Sequence, residues 1–319
     1  MESGPGGGAS SWRTIPLMLV QSPRIRTYLE LVRLPNLFTA VGDIVAGYLI
    51  VSRGVDVSWR ALILLMLASV CLYAGGVVLN DYFDRDVDAV ERPERPIPSG
   101  RIRARDVLKL GVRLLGLVCV LAVGVGGLSL LVAVVLAGCI VLYDARGKRI
   151  EYVGSLNMGA CRLLNVLLGA SGASPFVPES WLWLALPAAV LVFLYISAVT
   201  LLATGEVWGG NRAISSLVLG AVLVVIGGVS WLGLADRLVA PIWSYPFLAL
   251  FAAATLSVIG RVVRAPTAPH IRTAIKTCVL SLLLLDAAVA AGAGGLGFGV
   301  GVAVLILPAL YAARLYAVT

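Results

Sequence analysis

The chain has 319 residues, 60% of them hydrophobic and 13% charged, with a mean hydropathy of +0.97 and a formal net charge of +8. An isolated water-soluble domain is excluded: apolar runs of about 18 to 22 residues between short polar loops belong to helices in lipid, where the backbone must satisfy its own hydrogen bonds. The single histidine, His270, and five cysteines at unpaired spacings inside apolar runs give no support to transition-metal or histidine-dependent nucleophilic chemistry.

In chain order, residues 1–22 form a Gly-, Ser- and Pro-containing tail expected to be disordered, and 23–319 a single membrane domain. The tail lacks the basic start and long apolar core of a secretory signal. Residues 22–33, with Arg24 and Arg26, predict a basic surface helix leading into the membrane. Ten membrane helices are expected, at 35–51, 60–83, 106–126, 128–145, 154–172, 181–204, 213–232, 242–263, 272–291 and 295–316. Arg85, Arg92, Arg95, Arg101, Arg103, Arg105, Arg146, Lys148, Arg149, Arg212, Arg261, Arg264 and Arg314 all fall on one side of that arrangement. The positive-inside rule then puts both termini and the loops after the second, fourth and sixth spans in the cytoplasm. The net positive charge reflects this topology and attraction to lipid phosphate, and nucleic acid is not an expected partner.

The second span ends in Asn80-Asp81-Tyr82-Phe83-Asp84-Arg85-Asp86-Val87-Asp88. If the helix continues through it, about 100° per residue brings Asn80, Asp81, Asp84 and Asp88 onto one arc and leaves Asp86 on the far side. Clustered carboxylates repel one another unless a cation sits among them, and oxygen-only ligands suit a Mg²⁺ that keeps waters and binds phosphate oxygens. The motif is expected in a loop at the membrane surface, and a merely solvated acidic loop is the plainer alternative. Within the spans, Asp43, Arg162, Asn165 and Asp286 are costly in lipid and therefore functional candidates. An Asp43–Arg162 pair would be purely structural, and Asp286 reads as a packing or hydrogen-bonded group.

The acidic motif, followed by Arg92-Pro93-Glu94-Arg95-Pro96-Ile97-Pro98-Ser99-Gly100 and preceded at the first span by Arg33-Leu34-Pro35-Asn36, resembles the UbiA superfamily of intramembrane prenyltransferases. The resemblance implies an all-α membrane protein, a bundle of nine core helices around a cavity open to lipid, with a tenth helix here as an addition. Tyr143-Asp144-Ala145-Arg146-Gly147-Lys148-Arg149 is similar to the family's tyrosine and lysine loop. The family's second aspartate motif has a reduced counterpart in Thr204-Gly205-Glu206-Val207-Trp208-Gly209-Gly210-Asn211-Arg212, where Glu206 is the only acid. Together with Cys161-Arg162-Leu163-Leu164-Asn165, this is most similar to the EboC-like branch.

What the resemblance implies about chemistry is a Mg²⁺-dependent transfer of an isoprenyl group from a polyprenyl diphosphate to an unidentified acceptor, by ionisation of the diphosphate and capture of the carbocation. Asp81, Asp84, Asp88 and Glu206 would hold the metal. Asn80, Asp84, Asp88 and Tyr143 would act on the reacting group, and Asn36, Lys148, Arg149, Arg162 and Arg212 would bind the diphosphate. Phe38, Tyr73 or Tyr195 would face the cation with their rings, unless they simply pack. Membrane lipid surrounds the site. A non-catalytic transport or lipid-phosphate-binding protein, and a terpene cyclase on the same scaffold, stay open as alternatives.

Overall fold

A computed structural model describes residues 23–150, 152–173 and 181–315. The expected disordered tail, 1–22, lies outside the described residues. Among those residues every regular element is helical: α1 Pro23–Leu31, α2 Leu34–Ser52, α3 Trp59–Glu91, α4 Ala104–Val123, α5 Gly127–Ala145, α6 Val153–Ser171, α7 Trp181–Ala203, α8 Arg212–Leu234, α9 Ser244–Arg264, α10 Ala268–Gly294, α11 Leu296–Val304 and α12 Ile306–Leu315. Short 3-10 turns at Gly147–Arg149 and Pro241–Trp243 precede α6 and α9. Local chemistry sets the starts: the Ser58 hydroxyl accepts the Ala61 N–H ahead of α3, and the Asn211 side chain accepts the Ile214 N–H ahead of α8.

Nine spans among the described residues are long and apolar enough to cross a membrane, the last running through α11 and α12. The helix missing from that set is α4, whose first half carries Arg105, Asp106, Lys109 and Arg113. It nevertheless packs on α3 and α5. Gly111 makes this possible, since a Cβ there would come within 2.7 Å of Leu79. The final expected helix, 295–316, is divided at Leu305. Pro308 has no N–H for the Val304 carbonyl, which accounts for a break at that turn.

One expectation is corrected. The acidic motif is not in a loop, because α3 continues to Glu91. At 33 residues it is about 50 Å long, well beyond a hydrocarbon core of about 30 Å, so its last turns overhang the bundle. The overhang is stable as helix because ion pairs to other segments line one of its faces.

The hub is α2, which packs on α3, α6, α7, α10 and α12. Small residues set its distance from α6: a methyl group on Gly47 would overlap the Val166 carbonyl, and one on Gly169 would overlap the Ile44 carbonyl. In the half of the bundle away from the acidic motif, an open apolar groove of about 590 Å³ runs between α2, the start of α3 and the α10–α12 segment. Val45, Leu62, Phe298 and Leu305 are among its walls.

The alternation of helices predicts sidedness that labelling can check. Single cysteines replacing the exposed Glu94, Ile150 and Trp208 in a cysteine-free background should react from the same side of sealed vesicles, and those replacing Val55 and Val239 from the other. Opposite accessibility within the first set would break the bundle order.

Candidate active site

The overhanging turns of α3 present Asn80, Asp81, Asp84 and Asp88 to three other segments. Asp86 stands on the other face with its side chain 84% exposed and only its neighbour Arg85 as partner, at 3.5 Å. Asp81 and Asp88 are buried. Asp81 Oδ1 accepts Arg33 Nη2 at 3.3 Å and Arg95 Nη1 at 3.2 Å, and the same Arg95 nitrogen donates to Asp88 Oδ2 at 2.9 Å. Lys148 Nζ pairs with Asp84 Oδ1 at 2.6 Å and donates to Asn80 Oδ1 at 2.8 Å, while Asn80 Nδ2 donates to Asp84 Oδ2 at 3.2 Å.

Each cation is delivered by a constrained backbone. Arg33 sits between α1 and α2 with φ 48°, in the left-handed region that non-glycine residues adopt only under constraint. Arg95 lies in the loop after α3, which Arg101 fastens by binding Glu30 of α1 at 2.5 Å and the Glu94 carbonyl at 2.7 Å. Lys148 is in the 3-10 turn between α5 and α6. Three carboxylates thus meet three cations. Asp144, the penultimate residue of α5, adds a fourth carboxyl group: it is buried, its Oδ2 has no hydrogen-bond partner, and it lies within electrostatic reach of Lys148, Asp84, Arg33 and Asp81.

This donor set fits Mg²⁺ in kind. Its ligands are oxygens, and among the described residues Asp144 Oδ2 is a buried acceptor with no donor. Among the described residues no three carboxylates are gathered into a ready-made cage. A Mg²⁺ bound through one or two carboxylates, waters and substrate phosphates does not require one.

The other expected site residues make no hydrogen bond or ion pair with this cluster among the described residues. Glu206, in the segment between α7 and α8, is half-buried and makes no ion pair among the described residues. The Arg212 guanidinium is exposed and donates to the Arg264 carbonyl at 3.4 Å. Asn36 is half-buried in the first turn of α2, its carbonyl accepting the Thr39 hydroxyl at 2.7 Å. Tyr143 is half-buried within electrostatic reach of Arg33 and Asp84. Arg149 belongs to the 3-10 turn, but its side chain lies outside the described atoms.

Arg162 requires a correction. It was expected at the diphosphate, yet it is buried in the bundle, where it donates to Asp43 Oδ2 at 2.9 Å and to Thr39 Oγ1 at 2.8 Å. It also stands 5.5 Å from the ring centre of Tyr73, eleven residues before Asp84 on α3 and thus about 16 Å deeper along that helix. The physical reason is desolvation: a guanidinium at this depth is held by the nearest carboxylate. The rings divide similarly. Tyr195 is a packing residue, with its hydroxyl on the Cys278 carbonyl at 2.8 Å and its edge on Phe251. Phe38 packs against the core, and the ring of Tyr73 already faces a cation.

Sequence reasoning treated Arg33, Arg95 and Asp144 only as parts of motifs or as topology charges. The available signal was their placement: Arg95 lies between two prolines in a short rigid loop, and Asp144 stands inside the tyrosine and lysine segment.

Comparison with known proteins bears on the family and the fold. The family described as the UbiA prenyltransferase family matches residues 40–270, more than half of the chain. A digeranylgeranylglyceryl phosphate synthase of Ignicoccus hospitalis is 33% identical over 174 residues, covering 54% of this chain and 56% of the relative. One of Methanopyrus kandleri is 38% identical over 170 residues, covering 50% and 58%. The chain therefore spans a little over half the length of the curated relatives it matches. Among solved structures, a UbiA homolog from Archaeoglobus fulgidus bound to DMAPP and Mg²⁺ superposes with a TM-score of 0.61 at 16% identity, covering 87% of this chain and 99% of that one. These relatives do not support the EboC-like branch expected from the reduced second motif together with the Cys161–Asn165 segment of α6. Of that segment, Arg162 and Asn165 belong to a buried network.

Proposed function

Because the chain belongs to the UbiA prenyltransferase family, we propose that it transfers an isoprenyl group from an isoprenyl diphosphate to a glyceryl phosphate lipid that already carries one such group. The observation that carries this reading is the ion-paired cluster itself: Asp81, Asp84 and Asp88 on one helix face, met by Arg33, Arg95 and Lys148 from three other segments. The acceptor class comes from the relatives named digeranylgeranylglyceryl phosphate synthase. In this reading Asp81, Asp84 and Asp88 would hold Mg²⁺, with Asp144 as a further oxygen. When bound, Mg²⁺ supplies Lewis-acid stabilisation of the charge that develops on a departing diphosphate.

The chain's own residues do the rest. Lys148, Arg33 and Arg95 are charge-assisted donors suited to phosphate oxygens, and their present carboxylate partners keep them in place before substrate arrives. Asn80 fixes Lys148 on one side and Asp84 on the other. Tyr143, half-buried beside Asp144, donates its hydroxyl to the diphosphate. The bond between the allylic carbon and the diphosphate oxygen breaks with the electron pair leaving on diphosphate. The acceptor hydroxyl oxygen then bonds to that carbon, and its proton passes to water at the polar end of the site. The site stands at the polar end of a lipid-embedded bundle, so an isoprenoid tail stays in lipid while its diphosphate reaches charged groups.

The test is an acceptor competition in proteoliposomes. With labelled geranylgeranyl diphosphate and Mg²⁺, geranylgeranylglyceryl phosphate should gain label in preference to 4-hydroxybenzoate. Preference for the phenolic acid would overturn the acceptor assignment.

A graded prediction concerns the reduced second motif. Among the described residues Glu206 makes no ion pair, so Glu206→Gln should raise the Mg²⁺ concentration needed for half-maximal activity only several-fold, less than a change at Asp84. Mg²⁺ titration of both variants checks this, and an effect of Glu206→Gln equal to that of Asp84→Asn would contradict it.

A further inference from the structure

Below the candidate active site, α2, α6 and α10 enclose a second polar group that the proposed reaction does not use. Asp43 and Asp286 are 0% and 1% exposed. The two oxygens of Asp43 differ: Oδ2 receives both Arg162 Nη1 and Asn165 Nδ2, each at 2.9 Å, while Oδ1 has no donor among the described residues. Among the same residues neither oxygen of Asp286 has a donor. Yet the carboxyl groups of Asp43 and Asp286 lie within hydrogen-bonding reach of each other. The surroundings are otherwise satisfied. Asn165 also donates to the Ala40 carbonyl at 2.9 Å, and the Ser69 hydroxyl donates to Asn165 Oδ1 at 2.8 Å. Among the described residues Arg162, supported by Thr39 and the Tyr73 ring, is the one cation facing the pair.

Two carboxylates against one guanidinium would leave an excess negative charge in a dry interior, with three oxygens lacking donors. One further cation removes both problems. Space on the Gly42 flank favours a proton: a Cβ on Gly42 would fall 2.5 Å from Asp286 Oδ2 and 3.1 Å from Leu283 Cδ2. That flank of Asp286 has no room for a methyl group, let alone a metal ion and its ligands. We propose that Asp43 and Asp286 form a one-proton site in which Asp286 is the neutral acid, donating its O–H to Asp43 Oδ1, while Asp43 remains the counter-ion of Arg162. The proton comes from bulk water on folding, and the resulting hydrogen bond ties α10 to α2, which Arg162 ties to α6. Two carboxyl groups within hydrogen-bonding reach hold one proton between them because both cannot carry charge side by side.

Infrared difference spectroscopy of the full-length protein in lipid, wild type minus Asp286→Asn at neutral pH, is the direct test, with ¹³C-aspartate labelling to assign the band. A protonated-carboxyl stretch present in the wild type and absent from the variant is the expected result. No such difference band would overturn the proposal. Thermal unfolding provides a second readout, because an amide replaces a neutral acid but not a carboxylate. Asp286→Asn should lower Tm by about 3 °C or less, and Asp43→Asn by several times that, since Arg162 loses its partner. The opposite ranking would mean that Asp286 is the ionised member and would overturn the assignment. So would a wild-type Tm that rises in sodium chloride over choline chloride and loses that rise in Asp286→Asn, because the site would then hold a metal cation.

Discussion

Asp84→Asn should reduce diphosphate release on the order of 10³-fold, since the several kcal/mol of charge stabilisation at stake convert at about 1.4 kcal/mol per factor of ten. The substitution keeps the shape of the side chain and removes its charge. It acts twice: the carboxylate assigned to the metal is lost, and Lys148, now at 2.6 Å from Asp84 Oδ1, loses its counter-ion. Asn80 would then hold the lysine through one neutral acceptor. Folding should survive, because this part of α3 overhangs the bundle and Asp84 is only half-buried. Diphosphate release at saturating Mg²⁺, with circular dichroism as the folding control, checks the prediction. Full activity in the variant would remove Asp84 from the site.

Arg162→Leu is expected to fail for a different reason. Truncating one partner of a buried pair leaves the other uncompensated, a loss of about 3 to 5 kcal/mol. Asp43 would keep only Asn165 as a donor to Oδ2. Replacing both partners removes the stranded charge, so Asp43→Leu combined with Arg162→Leu should recover much of the stability lost by Arg162→Leu alone. Unfolding of the three variants in detergent measures this. An Arg162→Leu protein with unchanged stability but weakened donor binding would restore the diphosphate role expected for this arginine.

The two arginine groups show where the sequence is legible and where it is not. Helices were readable because apolar run length in lipid leaves the backbone few choices. The overhang of α3 was not, since ion pairs from distant segments carry it past the membrane surface, and hydropathy cannot see them. The arc of Asn80, Asp81, Asp84 and Asp88 followed from helical geometry alone once the helix was taken to continue. Which cations meet it did not follow: Arg33 and Arg95 are 48 and 14 residues from Asp81, and only the packing of α1 and the Arg101-fastened loop brings them in. Arg162 was misplaced because an intramembrane charge announces function without announcing depth. Its partner Asp43, 119 residues away, was legible as one of two alternatives, and the fold decides between them. Asp144 stands between Tyr143 and Lys148 in one short segment, and nothing in its spacing marks it as a buried acceptor facing the cluster.

The most direct measurement is the stoichiometry of a single reaction in proteoliposomes containing the purified chain, labelled geranylgeranyl diphosphate and geranylgeranylglyceryl phosphate. Mg²⁺-dependent release of one diphosphate for each new ether-linked isoprenyl group is the predicted result. Donor that binds tightly through the charged cluster yet is returned intact, with no diphosphate released at any Mg²⁺ concentration, would contradict prenyl transfer and leave a lipid-phosphate-binding protein.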